Sequence, residues 1–306
     1  MTNSTLEAVL RRDRLVVAGA VGVIVALAWG YMLWLAANMD MGGMDMAGFR
    51  MNPAGTGIMA PANAPWRAIE FAFVFAMWAV KMVGMMAPSA APMILMYARV
   101  GRQGKAAGKS LAATGWFASG YFFTWIGFSL AATLVQWAVE RAALLDSQMA
   151  STSNMFGGTV LIAAGAYQWT PLKDVCLAQC QSPFQFLMRH GGFRGDLLGC
   201  LLLGLRHGAY CVGCCWVLMA LLFVGGVMNV LWIALLALLV LLEKLLRSAG
   251  GSRAPPALLV SSRVLGCCFL HRSDEPSAFS RQCMITTWRS SASRHAGSHV
   301  RLNVRK

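Results

Sequence analysis

Residues 200–215 read CLLLGLRHGAYCVGCC, inside a run otherwise apolar enough to cross a bilayer. At the helical period Cys200, His207, Cys211 and Cys214 fall within about 60° of one face; Cys215 lies beside them. Thiols and an imidazole in hydrocarbon need a partner, because an unsatisfied polar group there costs several kcal/mol. A soft metal ion supplies one. Thiolate and imidazole favour copper(I), zinc or an iron-sulfur centre over magnesium or calcium. The rise is about 6 Å from His207 to Cys211 and about 4.5 Å from Cys211 to Cys214, short enough for the side chains to converge on one ion. The opposing reading treats membrane cysteines as small apolar residues and places His207 with Arg206 in a polar cavity.

Other soft donors recur along the chain. Met39, Met41, Met44 and Met46 are interleaved with Asp40 and Asp45 beside Gly42 and Gly43. Thioethers are neutral ligands that suit copper(I) and need no deprotonation, so this segment reads as a capture site. Met82, Met85, Met86, Met93 and Met96 fall within about 100° of one another on a helix. A packing stripe explains them equally well, since Met fills irregular gaps. Lys81 in the same run is an intramembrane charge, and such charges are functional candidates. Cys176 and Cys180 have i, i+4 spacing in a polar stretch. With His190 they read as an inner release site.

The elements that must position these residues are membrane helices. Of 306 residues, 58% are hydrophobic and 12% charged, which excludes one or two ordinary soluble domains. Six of the nine cysteines lie between 176 and 215, on or beside apolar segments, so metal or redox chemistry fits better than a secreted disulfide scaffold. Apolar runs are expected to span at Leu15–Ala37, Ala68–Ala98, Leu111–Val135, Phe156–Trp169, Leu197–Val224 and Met228–Leu246. Pro88 and Pro92 are expected to bend or break the second. The fold class is therefore all-α: a polytopic transmembrane bundle of six spans occupying residues 15–246.

Charge sets the orientation. Residues 1–14, with Arg11, Arg12 and Arg14, are placed in the cytoplasm. The Met/Asp loop, residues 38–65, then lies outside. The basic linker RVGRQGKAAGK, the Cys176/Cys180 loop and the Lys244 end lie inside, as the positive-inside rule requires of a bacterial inner-membrane protein. From Arg247 onward nine arginines and one lysine stand against Asp274 and Glu275, a net +8 of the total +14. This Arg/Ser-rich tail, residues 247–306, has no hydrophobic period and is expected to be disordered. Its abrupt composition resembles out-of-frame translation of a GC-rich gene. The positive charge sits at span ends and in the tail, so it gives no support to nucleic-acid binding. There is no Walker-type loop and no DKTGT-like segment, so ATP-driven pumping is not expected.

MWAVKMVGMMAPSAAPM, PLKDVCLAQCQSP and RHGAYCVGCCW, in that order, resemble a bacterial family of predicted metal-binding integral membrane proteins. It is a domain of unknown function whose members are sometimes labelled copper chaperones. The resemblance covers residues 10–246. It departs at Lys81, where the family carries an apolar residue or Met, and after LLEK, where members continue into another apolar span. It implies an inner-membrane protein that handles a metal, with copper first and zinc as the alternative.

Together these readings describe a non-enzymatic protein in the lipid bilayer. It takes copper(I) at the outer loop, passes it along the methionines to His207, Cys211 and Cys214, and exchanges it with a periplasmic or cytoplasmic acceptor protein. Two other classes compete: a thiol-redox module using the cysteine pairs, and an accessory subunit of a membrane metalloenzyme complex. The capture site is testable alone. A peptide spanning Met39 to Met46 should bind copper(I) with little pH dependence above the Asp titration. Replacing its four Met by Leu should abolish binding in a competitive titration; equal binding by the Leu peptide would refute capture.

Overall fold

A computed structural model of the chain describes residues 3–39, 49–51, 59–61, 65–103, 110–142, 144–145, 149 and 153–246. Met41, Met44, Met46 and the tail from Arg247 lie outside the described residues.

Helix α1 (Asn3–Met39) carries the first apolar run. Ala28, Met32 and Leu35 form a narrow buried strip against helix α2 (Ala68–Gln103), while Leu15, Leu27 and Leu33 stay exposed. A helix apolar on nearly every side with one thin contact stripe suits a lipid environment. Between α1 and α2, strands β1 (Phe49–Met51) and β2 (Met59–Pro61) pair antiparallel, with Met51 opposite Met59. Apart from this short ribbon, the elements among the described residues are helices.

Helix α3 (Ser110–Arg141) is followed by α4 (Asn154–Gln168), α5 (Pro171–Gln181), α6 (Pro183–Arg189), α7 (Leu197–Ala220), α8 (Leu222–Gly225) and α9 (Val230–Leu246). Among the described residues four stretches are long and apolar enough to cross a membrane: Leu15–Asn38, Ala68–Gly101, Leu111–Arg141 and Leu197–Gly225. At 15 and 17 residues, α4 and α9 fall short of the roughly 20 that a hydrocarbon core asks of one straight helix. The expected break in the second span does not occur, because α2 stays helical through Pro88 and Pro92. Each proline deprives a carbonyl one turn back of its donor. Here α1 and α3 flank the helix, and neighbouring helices are what make prolines tolerable in membrane spans.

The centre of the bundle is the contact of α3 with α7. Gly120 lies against the Leu201 carbonyl, Gly204 against the Phe117 carbonyl, and Gly208 against the Thr124 side chain. A Cβ at Gly120 or Gly204 would collide with the opposing backbone. Small residues four apart allow this approach in the absence of a hydrophobic drive between membrane helices. Thr124 Oγ1 donates across the contact to the Leu205 carbonyl, 3.2 Å.

A second set of polar contacts joins α2 to α3. Trp78 Nε1 donates to Gln136 Oε1 (2.7 Å), and Gln136 Nε2 donates to Glu140 Oε1 (2.8 Å) and to the Met149 thioether (3.2 Å). Lys81 is buried; its Nζ donates to the Val227 carbonyl and sits 5.0 Å from the Trp78 ring centroid. The lysine in the methionine stripe is thus a satisfied tie to the segment after α8.

Gly204→Leu should separate α3 from α7, since overpacking a dense contact costs about 1–3 kcal/mol or more. Gly115→Ala, whose Cβ meets nothing within 4 Å, should be neutral or gain up to about 1 kcal/mol from helix propensity. Thermal unfolding of both variants in detergent checks the contrast.

Candidate metal centre

Helix α7 begins at Asp196, whose carboxylate accepts from the Gly199 amide at 2.7 Å, and buries His207, Cys211, Cys214 and Cys215. Helix α5 starts at Thr170, whose hydroxyl accepts from the Lys173 amide, with Pro171 in the first turn where its missing N–H costs nothing. α5 packs against α7. The Cys176 sulfur rests against Gly213, and the Cys180 thiol lies beside those of Cys211 and Cys214. The sequence reading put Cys176 and Cys180 in a separate cytoplasmic loop. The structure brings them beside the middle of α7, because the intervening chain is helical and its polar side packs inward.

Cys211 is the hub. Its sulfur lies 3.1 Å from Tyr121 Oη and 3.0 Å from Lys244 Nζ, and its carbonyl accepts from the thiols of Cys214 (3.0 Å) and Cys215 (2.9 Å). Lys244 also donates to Ser89 Oγ (2.9 Å), which in turn donates to the Met86 carbonyl (2.9 Å). Tyr121 Oη is 3.3 Å from that same carbonyl. Residues of α2, α3, α5, α7 and α9 therefore meet at one point. Cys176, Cys180, Cys200, Cys211, Cys214 and Cys215 are all free thiols. Among the described residues no three His, Cys, Asp or Glu side chains are already disposed as a coordination shell. Two of the thiols are instead turned onto a carbonyl. The thiolate is the form that ligates a metal, and Lys244 brings positive charge to sulfur in an apolar interior.

The other expected donors fall at varying distances from this point. Met82, Met85, Met86 and Met93 are all buried on α2. Met86 is tied to the centre, through its carbonyl. Met39 is the last residue of α1. Cys200, on the same face of α7, sits apart: its thiol donates to the Arg194 carbonyl (3.1 Å) and takes the Tyr97 hydroxyl (3.4 Å). His207 lies one turn before Cys211 among the rings of Phe117, Tyr121 and Phe186, and its buried Nδ1 has no hydrogen-bond partner. That leaves an imidazole nitrogen available as a donor. His190 packs on Phe186 with its Nδ1 2.8 Å from the Phe186 carbonyl, so its ring is tied to its own helix.

Sequence reasoning missed Lys244, Tyr121 and Ser89. Lys244 reads as the charged end of the last apolar run, yet it is buried. Its neighbour Glu243 pairs with Lys173 at 2.6 Å. Lys173 is buried and also reaches Gln168, while Gln181 Nε2 donates to the Glu243 carbonyl at 3.0 Å. These contacts clamp α5 to α9. The useful signal was the adjacency of Glu243 and Lys244 in a run that is otherwise leucine and valine.

The fold and the site define a polytopic helical membrane protein whose bundle encloses a cluster of soft donors. The chain belongs to the PpoB2 copper chaperone family, whose model matches residues 75–267. The match takes in every residue of the thiol cluster, begins after the Met39–Met46 loop and runs past Arg247. No curated protein and no solved structure matches the chain.

Lys173→Met should destabilise by about 3–5 kcal/mol, because it strands the Glu243 carboxylate in a largely buried site. The double variant with Glu243→Leu should recover most of that loss. Denaturation of both in detergent decides it; an equally unstable double variant would show that the pair is not the clamp.

Proposed function

We propose that this chain carries copper(I) as cargo and holds it between α5 and α7. The observation that supports this most directly is the meeting of Cys180 with Cys211 and Cys214 on two separate helices, in a chain of a copper chaperone family. Copper(I) accepts two or three soft donors. Cys214 and Cys215 reach it by rotating off the Cys211 carbonyl, and His207 Nδ1 lies one turn away on the same face. Lys244 offsets the negative charge of a bis-thiolate complex. Transfer is ligand exchange without covalent catalysis, from Met39, Met41, Met44 and Met46 through Met82, Met85, Met86 and Met93 to the cysteines, and on to an acceptor protein.

The same proposal places six passages in a bacterial inner membrane with the N-terminus in the cytoplasm. α1, α2, α3 and α7 cross as single helices, the fifth passage contains α4, and the sixth begins with α9. Arg99, Arg102 and Arg194 then share the cytoplasmic side.

The test is copper content and sulfur coordination of the purified protein. Cys211→Ser with Cys214→Ser should remove the bound copper and the Cu–S signal in X-ray absorption, and Cys180→Ser should lower the sulfur count. Unchanged copper and unchanged sulfur ligation in the double variant would overturn the assignment.

A further inference from the structure

We propose that α5 and α6 lie within the bilayer, and that lipid acyl chains cover the face formed by Leu172, Val175, Phe184 and Met188. α4, α5 and α6 are then three pieces of one broken membrane passage. This inference concerns the surface of the segment and stands whether or not the thiols hold copper.

The first argument is the sidedness of α5. Lys173, Cys176 and Gln179 are buried together with Leu177, and Lys173 is only 1% exposed. Leu172 is 60% exposed, Val175 58%, Phe184 55% and Met188 53%. A helix on a water-facing surface shows the opposite arrangement, apolar side in and polar side out. Polar groups turned into the bundle and apolar groups turned out is the pattern that hydrocarbon selects.

Depth is the second argument. α5 meets α7 at Cys211, Gly213 and Cys214, and α6 meets it at His207, where the Phe186 and His207 rings are 5.1 Å apart. Gly213 is sixteen residues from Leu197, about 24 Å along the helix. The apolar stretch that contains it, Leu197–Gly225, has 29 residues and is therefore about 43 Å long. The contact falls near its middle. If α7 crosses the membrane, the outward face of α5 is level with the acyl chains.

The third argument is continuity. Tyr167, near the end of α4, donates to the Gly213 carbonyl and packs on Trp216 at 5.5 Å. α4 thus hands over to α5 at the same level of α7. Its exposed Ile162 and the exposed Trp169 extend the apolar surface of α5. The breaks are satisfied internally: Thr170 Oγ1 donates to the Tyr167 carbonyl at 2.8 Å, and the Ser182 amide donates to the Ala178 carbonyl at 3.2 Å. Broken helices are tolerated in a membrane when their backbone groups find such partners. Asp174 stands on the exposed side in the first turn of α5, where a carboxylate suits the helix dipole, and it is engaged in an interaction of its own. Arg189 closes α6, with a side chain long enough to reach the interface.

The experiment uses the full chain in phosphatidylglycerol–phosphatidylethanolamine vesicles with two reagents. A lipid-dissolved aryl diazirine is photolysed in one sample, and hydroxyl radicals are generated in the water phase of the other. Labelled residues are mapped by peptide mass spectrometry. The diazirine should mark Leu172, Val175 and Phe184 as heavily as Leu130 and Leu134 on the exposed face of α3, and Met188 should escape oxidation. Oxidation of Met188 with no diazirine adducts on α5 or α6 would overturn the proposal in favour of an aqueous loop. Failure of both reagents to reach the segment would overturn it in favour of a covering protein surface.

Discussion

The backbone contact between α3 and α7 through Gly120, Gly204 and Gly208 sets the position of everything else. Lipid offers membrane helices no hydrophobic reward for associating, so their association rests on close packing and on polar contacts across it. The glycines bring the two backbones together, and Thr124 bonds across the join. With α3 fixed on α7, Tyr121 is delivered to Cys211 and Phe117 to His207. α2, also packed on α3, then presents the Met86 carbonyl to the same spot.

Around that axis the buried polar groups partner one another. Lys173 finds Glu243, Lys81 finds the Val227 carbonyl, Gln136 finds Trp78 and Met149, and Lys244 finds Cys211 and Ser89. Each bond joins two different elements. In a low-dielectric interior such bonds are strong and their loss is costly, so they fix which helices are neighbours where apolar packing alone would be permissive. Among the described residues three buried side-chain atoms have no hydrogen-bond partner, Trp125 Nε1, Gln179 Oε1 and His207 Nδ1, and of these His207 Nδ1 is the one on the face of α7 that carries Cys211. It lies one turn from Cys211 and about two turns from Cys214 and Cys215.

Much of the bundle was legible in the sequence because apolar length is a strong signal. α2, α3 and α7 begin where the apolar runs begin. Helical spacing put Cys211 and Cys214 on one face with Cys215 beside them, and all three are buried. Cys200 was grouped with them by the same spacing and proved separate, because angle around a helix says nothing about distance along it. The short ribbon at Phe49–Met51 and Met59–Pro61 left no trace in a Met- and Gly-rich segment. The placement of Cys176 and Cys180 was not legible either. Lys173, Asp174, Gln179 and Gln181 give α5 the polarity of a loop, and only the pairing of Lys173 with Glu243, seventy residues away, shows that the polarity faces inward. A local pattern does not reveal a long-range partner.

The two proline junctions of α5 have a mechanical consequence. Pro171 and Pro183 have no amide hydrogen, and α5 is joined to its neighbours by Thr170 on one side and Ser182 on the other. Its internal ladder is interrupted at Pro171, and at Pro183 it continues only through Ser182, whose amide donates to the Ala178 carbonyl and whose carbonyl accepts from the Phe186 amide. Shifting α5 as a rod against α7 stretches side-chain contacts and leaves the ladders of the three pieces intact. The position of the Cys180 sulfur beside those of Cys211 and Cys214 is then held by side-chain contacts, the Lys173–Glu243 pair and the seat of Cys176 on Gly213 among them. A helix joined this way can shift slightly against α7 without unfolding a single helical turn.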